Sequence, residues 1–257
     1  MTKQRELAQR FHALHVKGEP LVLFNIWDAG SARIVAQAGA KAIATASWSI
    51  AAANGYEDGE AVPLQVAIAN LRRIAAVVDL PVTIDLEGGY ARASSVVGGS
   101  VARALDAGAI GFNLEDQIIG EDGLYSSPEQ SVRIGAARAA VDSADIPAFI
   151  NARTDLFLKT EPARHDEAIV DSALARAYAY HGAGASGFFT PGLIDERLIA
   201  RLCERSPLPV NIMIMAGAPP IRRLAELGVA RISHGPGPYR IAMRALEDAA
   251  RAAYRGG

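Results

Sequence analysis

The chain has 257 residues, half of them hydrophobic and 21% charged, with a formal net charge of −2. That length suits one large α/β domain, and the absence of a broad basic field argues against nucleic acid or an anionic membrane as the main partner, leaving small metabolites. The single cysteine, Cys203, excludes a disulfide framework and points to a reducing compartment. Within the helical pattern Leu198, Ile199, Leu202, Cys203 it reads as a buried structural thiol. Residues 1–20 lack the apolar core of a signal peptide, and no apolar run approaches the roughly 20 residues needed to span a bilayer, so a cytoplasmic location is expected.

An amphipathic helix with Leu7, Phe11 and Leu14 on one face opens the chain, followed by Pro20 and the strand pattern Leu21–Ile26. Helix signals start at Asp28 and stop at Gly39; a strand is predicted over Ala42–Ser47, and a polar connection over Asn54–Glu60. A helix from Pro63 to about Val78 leads to a strand over Val82–Leu86, then a helix from Ser94 to Ala107 and a strand over Ile110–Asp116. Beyond a polar loop come a helix from Pro128 to about Val141, a strand over Ala148–Arg153 and a long helix ending near Gly182. Strands over Gly187–Pro191, Pro209–Met215 and Ala230–His234 follow, each with a helical pattern behind it. Eight strand–helix units without a linker predict a parallel sheet closed into a single (β/α)8 TIM-type barrel over 1–257, preceded by the N-terminal helix.

The stretch Thr83–Tyr90 stands out: a strand pattern ends in Asp85 and Glu87 before Gly88 and Gly89. Residues two apart on a strand face the same way, so both carboxylates are expected on one side. Such a pair calls for a cation or a shared proton, and the glycines let the backbone turn close to a ligand. In a barrel of this kind chemistry sits at the C-terminal strand ends. Those ends hold Asn25 and Asp28; Thr45, Ser47 and Ser49; Asp85 and Glu87; Asn113, Glu115 and Asp116; Asn151, Arg153 and Asp155; Thr190; Asn211; and Ser233 with His234. Asp85, Glu87 and Glu115 on neighbouring strands form an all-oxygen donor set suited to Mg²⁺ or Mn²⁺.

On Asn25-Ile-Trp-Asp28, Gly55-Tyr-Glu-Asp58, Asp85-Leu-Glu-Gly-Gly-Tyr90, Asn113-Leu-Glu-Asp-Gln117 and Asn151-Ala-Arg-Thr-Asp155, the chain resembles the isocitrate lyase/phosphoenolpyruvate mutase family over roughly residues 20 to 240. The resemblance implies a Mg²⁺-dependent barrel that makes or breaks C–C or P–C bonds in small 2-oxo acids through an enolate. It implies that Asp85 contacts the metal, with Asp58, Glu87 and Glu115 holding it directly or through water. Arg153, Asp58 and Glu115 would form the catalytic set, and Arg153 would also bind a substrate oxygen as a permanent cation. Thr45, Ala46, Ser47 and Trp48 would grip the substrate carboxylate together with Asp85, and Asn211 would lie at the same end of the pocket. A homotetramer is also implied. His234, before Gly-Pro-Gly-Pro, is open between an acid–base role and a bond to the loop backbone.

Three departures narrow the reading. The lyases of the family carry a Lys-Lys/Arg-Cys-Gly-His loop where this chain has Ile118-Ile-Gly-Glu-Asp-Gly-Leu-Tyr125, so no thiol acid is available and isocitrate or methylisocitrate cleavage is not expected. Glu121 and Asp122 in that loop are expected to repel a phosphonate. Glu87 stands where the family has Asp, and a final helix exchanged between subunits is expected to be missing or altered. The leading expectation is a lyase acting on an oxaloacetate-like 2-oxo dicarboxylate, by decarboxylation or C–C cleavage. P–C bond chemistry and a non-catalytic oxalate- or pyruvate-binding barrel are the alternatives.

Overall fold

The computed structural model describes residues 2–255. Among them eight parallel strands form the sheet: β1 (Leu21–Leu23), β2 (Ile43–Ala44), β3 (Val82–Asp85), β4 (Gly111–Glu115), β5 (Phe149–Arg153), β6 (Gly187–Phe189), β7 (Val210–Met213) and β8 (Arg231–Ser233). From β2 to β8 each strand pairs with its sequence neighbour, and β1 pairs with β8. The remaining seam, between β1 and β2, is drawn together just past both strands by a parallel bridge between Ile26 and Thr45: the Ile26 amide donates to the Ala44 carbonyl at 2.9 Å, and the Ala46 amide to the Ile26 carbonyl at 3.1 Å. The sheet is therefore a (β/α)8 barrel, whose active-site face is the rim at the C-terminal strand ends.

The helices α1 (Lys3–Ala13), α2 (Ala29–Gln37), α3 (Ser47–Ala53), α4 (Leu64–Ala75), α5 (Ser94–Asp106), α6 (Ser127–Ser143), α7 (Glu167–Gly182), α8 (Glu196–Arg205), α9 (Ile221–Glu226) and α10 (Gly237–Arg255) alternate with the strands. Their starts follow local chemistry. Asp28 caps α2 and Ser126 caps α6, each in a reciprocal capping box, which removes orphan first-turn amides. In α8, Leu198, Ile199, Leu202 and Cys203 are all buried, as their spacing predicts. The opening helix inserts Ala8 and Phe11 into the core beneath the barrel, where Phe11 meets the Phe149 ring edge-on at 5.6 Å. The last helix, α10, is a 19-residue element with Ile241 and Leu246 exposed.

The structure departs from the predicted elements at the strand ends. Several strands stop earlier than the apolar runs that announce them, because their last residues bend into the rim. Ser47–Ala53, which follows the second strand directly, forms a helix that the sequence does not flag: its N-cap, Ala46, has no side chain able to cap it. The third strand ends at Asp85, and Glu87 lies in a left-handed turn at φ 49°. Strand alternation therefore does not carry as far as Glu87, and the expectation that both carboxylates follow it is corrected.

Candidate active site

The rim encloses a cavity of about 170 Å³. Thr45, Ala46, Ser47, Trp48, Asp58, Asp85, Asn113 and Arg153 line one part, with Asn25, Ser233, Gly235 and Pro236 beside them; Leu158, Phe189, Pro191 and Met213 add apolar surface. Strand order gives this division a direction. The acids Asp58 and Asp85 and the amide of Asn113 come from the β2–β5 side, whereas Phe189, Pro191 and Met213 lie at the ends of β6 and β7 across the barrel.

Asp85 is the most heavily oriented carboxylate on the cavity wall. Its amide donates to Thr45 Oγ1 at 2.9 Å, while Ser47 Oγ donates to Asp85 Oδ2 at 3.0 Å and Asn113 Nδ2 to Oδ1 at 3.3 Å. The backbone and both oxygens of Asp85 are thus fixed by three neighbouring elements. Asp58 lines the same cavity from the loop after α3, and burial followed by the charge of Asp85 pushes its carboxyl above the ordinary range.

Arg153 is held on all sides. It forms a two-pronged ion pair with Asp155 (Nε to Oδ1 2.5 Å, Nη2 to Oδ2 2.8 Å), a second with Glu115 Oε2 at 2.8 Å from Nη1, and its Nη1 lies 4.0 Å from Asp85 Oδ2. Burial alone would lower its pKa, but the charges of Glu115, Asp155 and Asp85 outweigh it, so the guanidinium is a permanent cation. Glu115 is buried, which raises its pKa against the opposing pull of Arg153.

Glu87 and Asn211 do not line the cavity. Glu87 Oε2 accepts from the Gly59 and Glu60 amides at 2.9 and 2.8 Å. Burial, then the charges of Asp85 and Asp58, push Glu87 up to about 8. Asn211 is buried in the barrel interior, where its Oδ1 accepts from Asn151 Nδ2 at 3.1 Å and its Nδ2 donates to Ser233 Oγ at 3.1 Å. His234 turns to the loop: its Nδ1 sits 3.2 Å from the Leu23 carbonyl and its ring lies against Phe24.

A divalent cation fits this donor set. Asp85, Glu115 and Asp155 surround the Arg153 guanidinium, and the charge of neighbouring carboxylates contributes to the raised carboxyls of Asp58 and Glu87. Among the described residues no three His, Cys, Asp or Glu side chains are gathered as a ready-made ligand cage. Mg²⁺ does not require one, because it keeps several waters and takes one or two carboxylates plus substrate oxygens. Asp85 and Asp58, the two acids on the cavity wall, are the residues that would hold it.

A family model for phosphoenolpyruvate phosphomutase matches residues 11–254. The chain belongs to that family. Within the wider isocitrate lyase/phosphoenolpyruvate mutase group its relatives are lyases and mutases, and it is an enzyme of that type. It is 29% identical over 252 residues to 2-methylisocitrate lyase of Escherichia coli, covering 95% of this chain and 82% of that one. To oxaloacetate decarboxylase of Pseudomonas savastanoi it is 28% identical over 257 residues, covering 96% and 84%. A crystal structure of a candidate phosphonomutase from Burkholderia cenocepacia superposes with a TM-score of 0.95 at 50% identity, covering 99% of this chain and all of that one.

Two features of this phosphoenolpyruvate phosphomutase relative escape sequence reasoning. The apolar wall of Leu158, Phe189, Pro191 and Met213 is invisible because each residue looks like ordinary core or loop until the barrel closes. Arg231 is the other: its guanidinium is buried in the barrel interior with Nε and Nη1 unpartnered and Nη2 3.4 Å from Asn113 Oδ1. An arginine flanked by Ala230 and Ile232 inside a short apolar strand is the signal that could have found it. The loop acids Glu121 and Asp122 are also placed differently from expectation. They pair at the surface with Arg92 and Lys159 and do not line the cavity.

Proposed function

We propose that this enzyme is a Mg²⁺-dependent lyase for a small 2-oxo dicarboxylate of oxaloacetate type, acting through an enolate by decarboxylation or C–C cleavage. The observation that carries the reading is the pairing of an immobilised cation, Arg153, with the oriented Asp85 carboxylate on one cavity wall. Bound at Asp85 and Asp58, Mg²⁺ would act as a Lewis acid on charge that builds on the substrate's carbonyl oxygen.

The protein supplies the rest. Arg153, clamped by Asp155 and Glu115, faces developing negative charge without having to reorient, which is where preorganised electrostatics contributes most. Residues Ala46–Trp48 bring the first turn of α3 to the cavity; the Ala46 amide is taken by the Ile26 carbonyl, but helix geometry leaves the Ser47 and Trp48 amides without intrahelical acceptors, available to a carboxylate. The apolar side holds the departing group out of water. Loss of a carboxylate there as neutral CO₂ suits such a surface, since a charged group against Phe189, Pro191 and Met213 is poorly solvated. The loop 118–125 carries no thiol acid, which favours decarboxylation over a cleavage that needs one.

Pyruvate release from a panel of 2-oxo diacids, with and without Mg²⁺, tests this; rates no faster than metal alone would remove the proposal. Asp85→Ala is expected to lose Mg²⁺ binding and turnover together, read by calorimetry and pyruvate assay, and retained activity would remove the metal assignment. A second reading, P–C bond chemistry, is favoured by the 50% likeness to the candidate phosphonomutase. Against it, the one cation on the cavity wall among the described residues, Arg153, is already paired with carboxylates. ³¹P NMR on phosphonopyruvate decides between the two.

A further inference from the structure

Two glutamates cross between the Asp58 loop and the turn after β3. Glu87, in the turn, accepts from the amides of Gly59 and Glu60 through a single oxygen, at 2.9 and 2.8 Å. Glu60, in the loop, reaches back and accepts from the Tyr90 amide at 2.6 Å. Each segment therefore contributes one carboxylate to the other's backbone. The turn itself is secured independently, because the buried Arg133 of α6 donates to the carbonyls of Gly88, Ala91 and Arg92. The loop is not: among the described residues, the backbone of 57–62 makes no hydrogen bond to another element except the two to Glu87.

Backbone conformation marks the same place. Glu60, Glu87 and Tyr90 have φ of 61°, 49° and 58°, three of the four non-glycine residues in the left-handed region among those described. Such conformations are costly for residues with a Cβ and persist where surrounding contacts hold them. Here the three are the two crossing carboxylates and the amide one of them binds. Gly88 completes the fit, since a Cβ there would lie 3.0 Å from Glu60 Oε1.

We propose that Glu87 and Glu60 are positioning residues, a reciprocal clasp that fastens the Asp58 loop over the cavity, and that Glu87 acts through the Gly59 and Glu60 amides rather than as a ligand of the metal. Only the consequence for metal binding rests on the role given to Asp58 above; the fastening itself does not depend on what the enzyme turns over.

Two substitutions separate this from a ligand role because they predict opposite orders. Glu87→Gln keeps the length and a carbonyl oxygen that accepts both amides, but removes the charge. Glu87→Asp keeps the charge and shortens the reach by one methylene. Amide exchange at Gly59 and Glu60 in the full chain is expected to quicken about tenfold or more in Glu87→Asp, on the scale of one lost hydrogen bond, and to stay within about threefold in Glu87→Gln. Calorimetric Mg²⁺ affinity should follow the same order, falling about tenfold in Asp and little in Gln. Glu60→Ala, which cuts the opposite strap, should quicken exchange at Tyr90 and serves if Glu87→Asp does not fold. Unchanged exchange in Glu87→Asp or in Glu60→Ala overturns the clasp. Mg²⁺ binding lost in Gln but kept in Asp overturns the positioning role and restores Glu87 as a ligand. If the clasp is confirmed while no 2-oxo diacid is turned over, the proposed function fails and this inference stands.

Discussion

Replacing Arg231 by Met should stabilise the protein. Arg231 is 2% exposed, its Nε and Nη1 have no partner, and its one contact with an acceptor is a 3.4 Å approach to Asn113 Oδ1. Burial drives its pKa down from 12.5 to about 9, with the charge of Asp85 opposing. A fall of that size corresponds to roughly 5 kcal/mol against the charged form in the native state. The sign follows from linkage: the native pKa is depressed for a base, so the penalty applies in full at every pH below about 9.

Met fills similar volume and removes the charge. It forfeits the guanidinium's placement over Phe11, 5.8 Å from the ring centre, worth about 1 kcal/mol. A net gain of about 2–4 kcal/mol is expected, in the range seen when buried charges are exchanged for apolar groups of matching size. In urea unfolding the midpoint should rise without a change in slope, and the melting temperature should climb by roughly 5–10 °C for a domain of this size. A loss of stability of more than about 1 kcal/mol would refute the reasoning, because it would mean that Arg231 is paired in solution by something its surroundings do not show.

The neighbouring His15 should make acid destabilising. Its Nδ1 donates to the Phe11 carbonyl at 2.8 Å, its Nε2 is buried without a partner, and burial followed by the charge of Arg231 pushes its pKa down to about 3. The native pKa is depressed, so this contribution is intact above pH 6.5 and is lost as pH falls toward 3, by up to about 1.4 kcal/mol per pH unit; His15→Phe should flatten that limb in pH-dependent melting. Gly187→Ala should cost about 1–3 kcal/mol by urea titration, since its Cβ would lie 2.6 Å from Phe149 Cε1 and 2.9 Å from Asn151 Oδ1. Cys203, buried and with its thiol pushed up to about 12, should resist thiol reagents at pH 8 in the native state and react only on unfolding.

The barrel was legible because its signals are local. Apolar runs recur in every unit, capping residues such as Asp28 and Ser126 and Gly-Ala stops in several, and they place β3, β4 and β5 so that Asp85, Asn113 and Arg153 share one wall. The short α3 was not legible, since Ser47-Trp-Ser49 continues an apolar strand pattern and carries no side-chain cap. Glu87 illustrates the other limit. Its type and spacing from Asp85 point to a shared face, but a left-handed turn at φ 49° places its Oε2 on the Gly59 and Glu60 amides. Spacing predicts direction only while the strand lasts.

The same distinction explains the arrangement of the cavity. Polar groups on β2–β5 are held in a chain of mutual bonds: Thr45 to the Asp85 amide, Ser47 and Asn113 to its carboxylate, and Asn151 to Asn113 and Asn211 deeper in the barrel. A network in which most members are satisfied is rigid, because moving one group unpairs another. The opposite side, Phe189, Pro191 and Met213, makes no directional demand on a ligand. One side of the cavity therefore fixes the common 2-oxo acid end of a substrate, while the other chooses among distal groups by shape and desolvation. Changes at Met213 or Leu158 should accordingly shift preference between substrates while leaving Mg²⁺ affinity in place, whereas changes at Asn113 should weaken both.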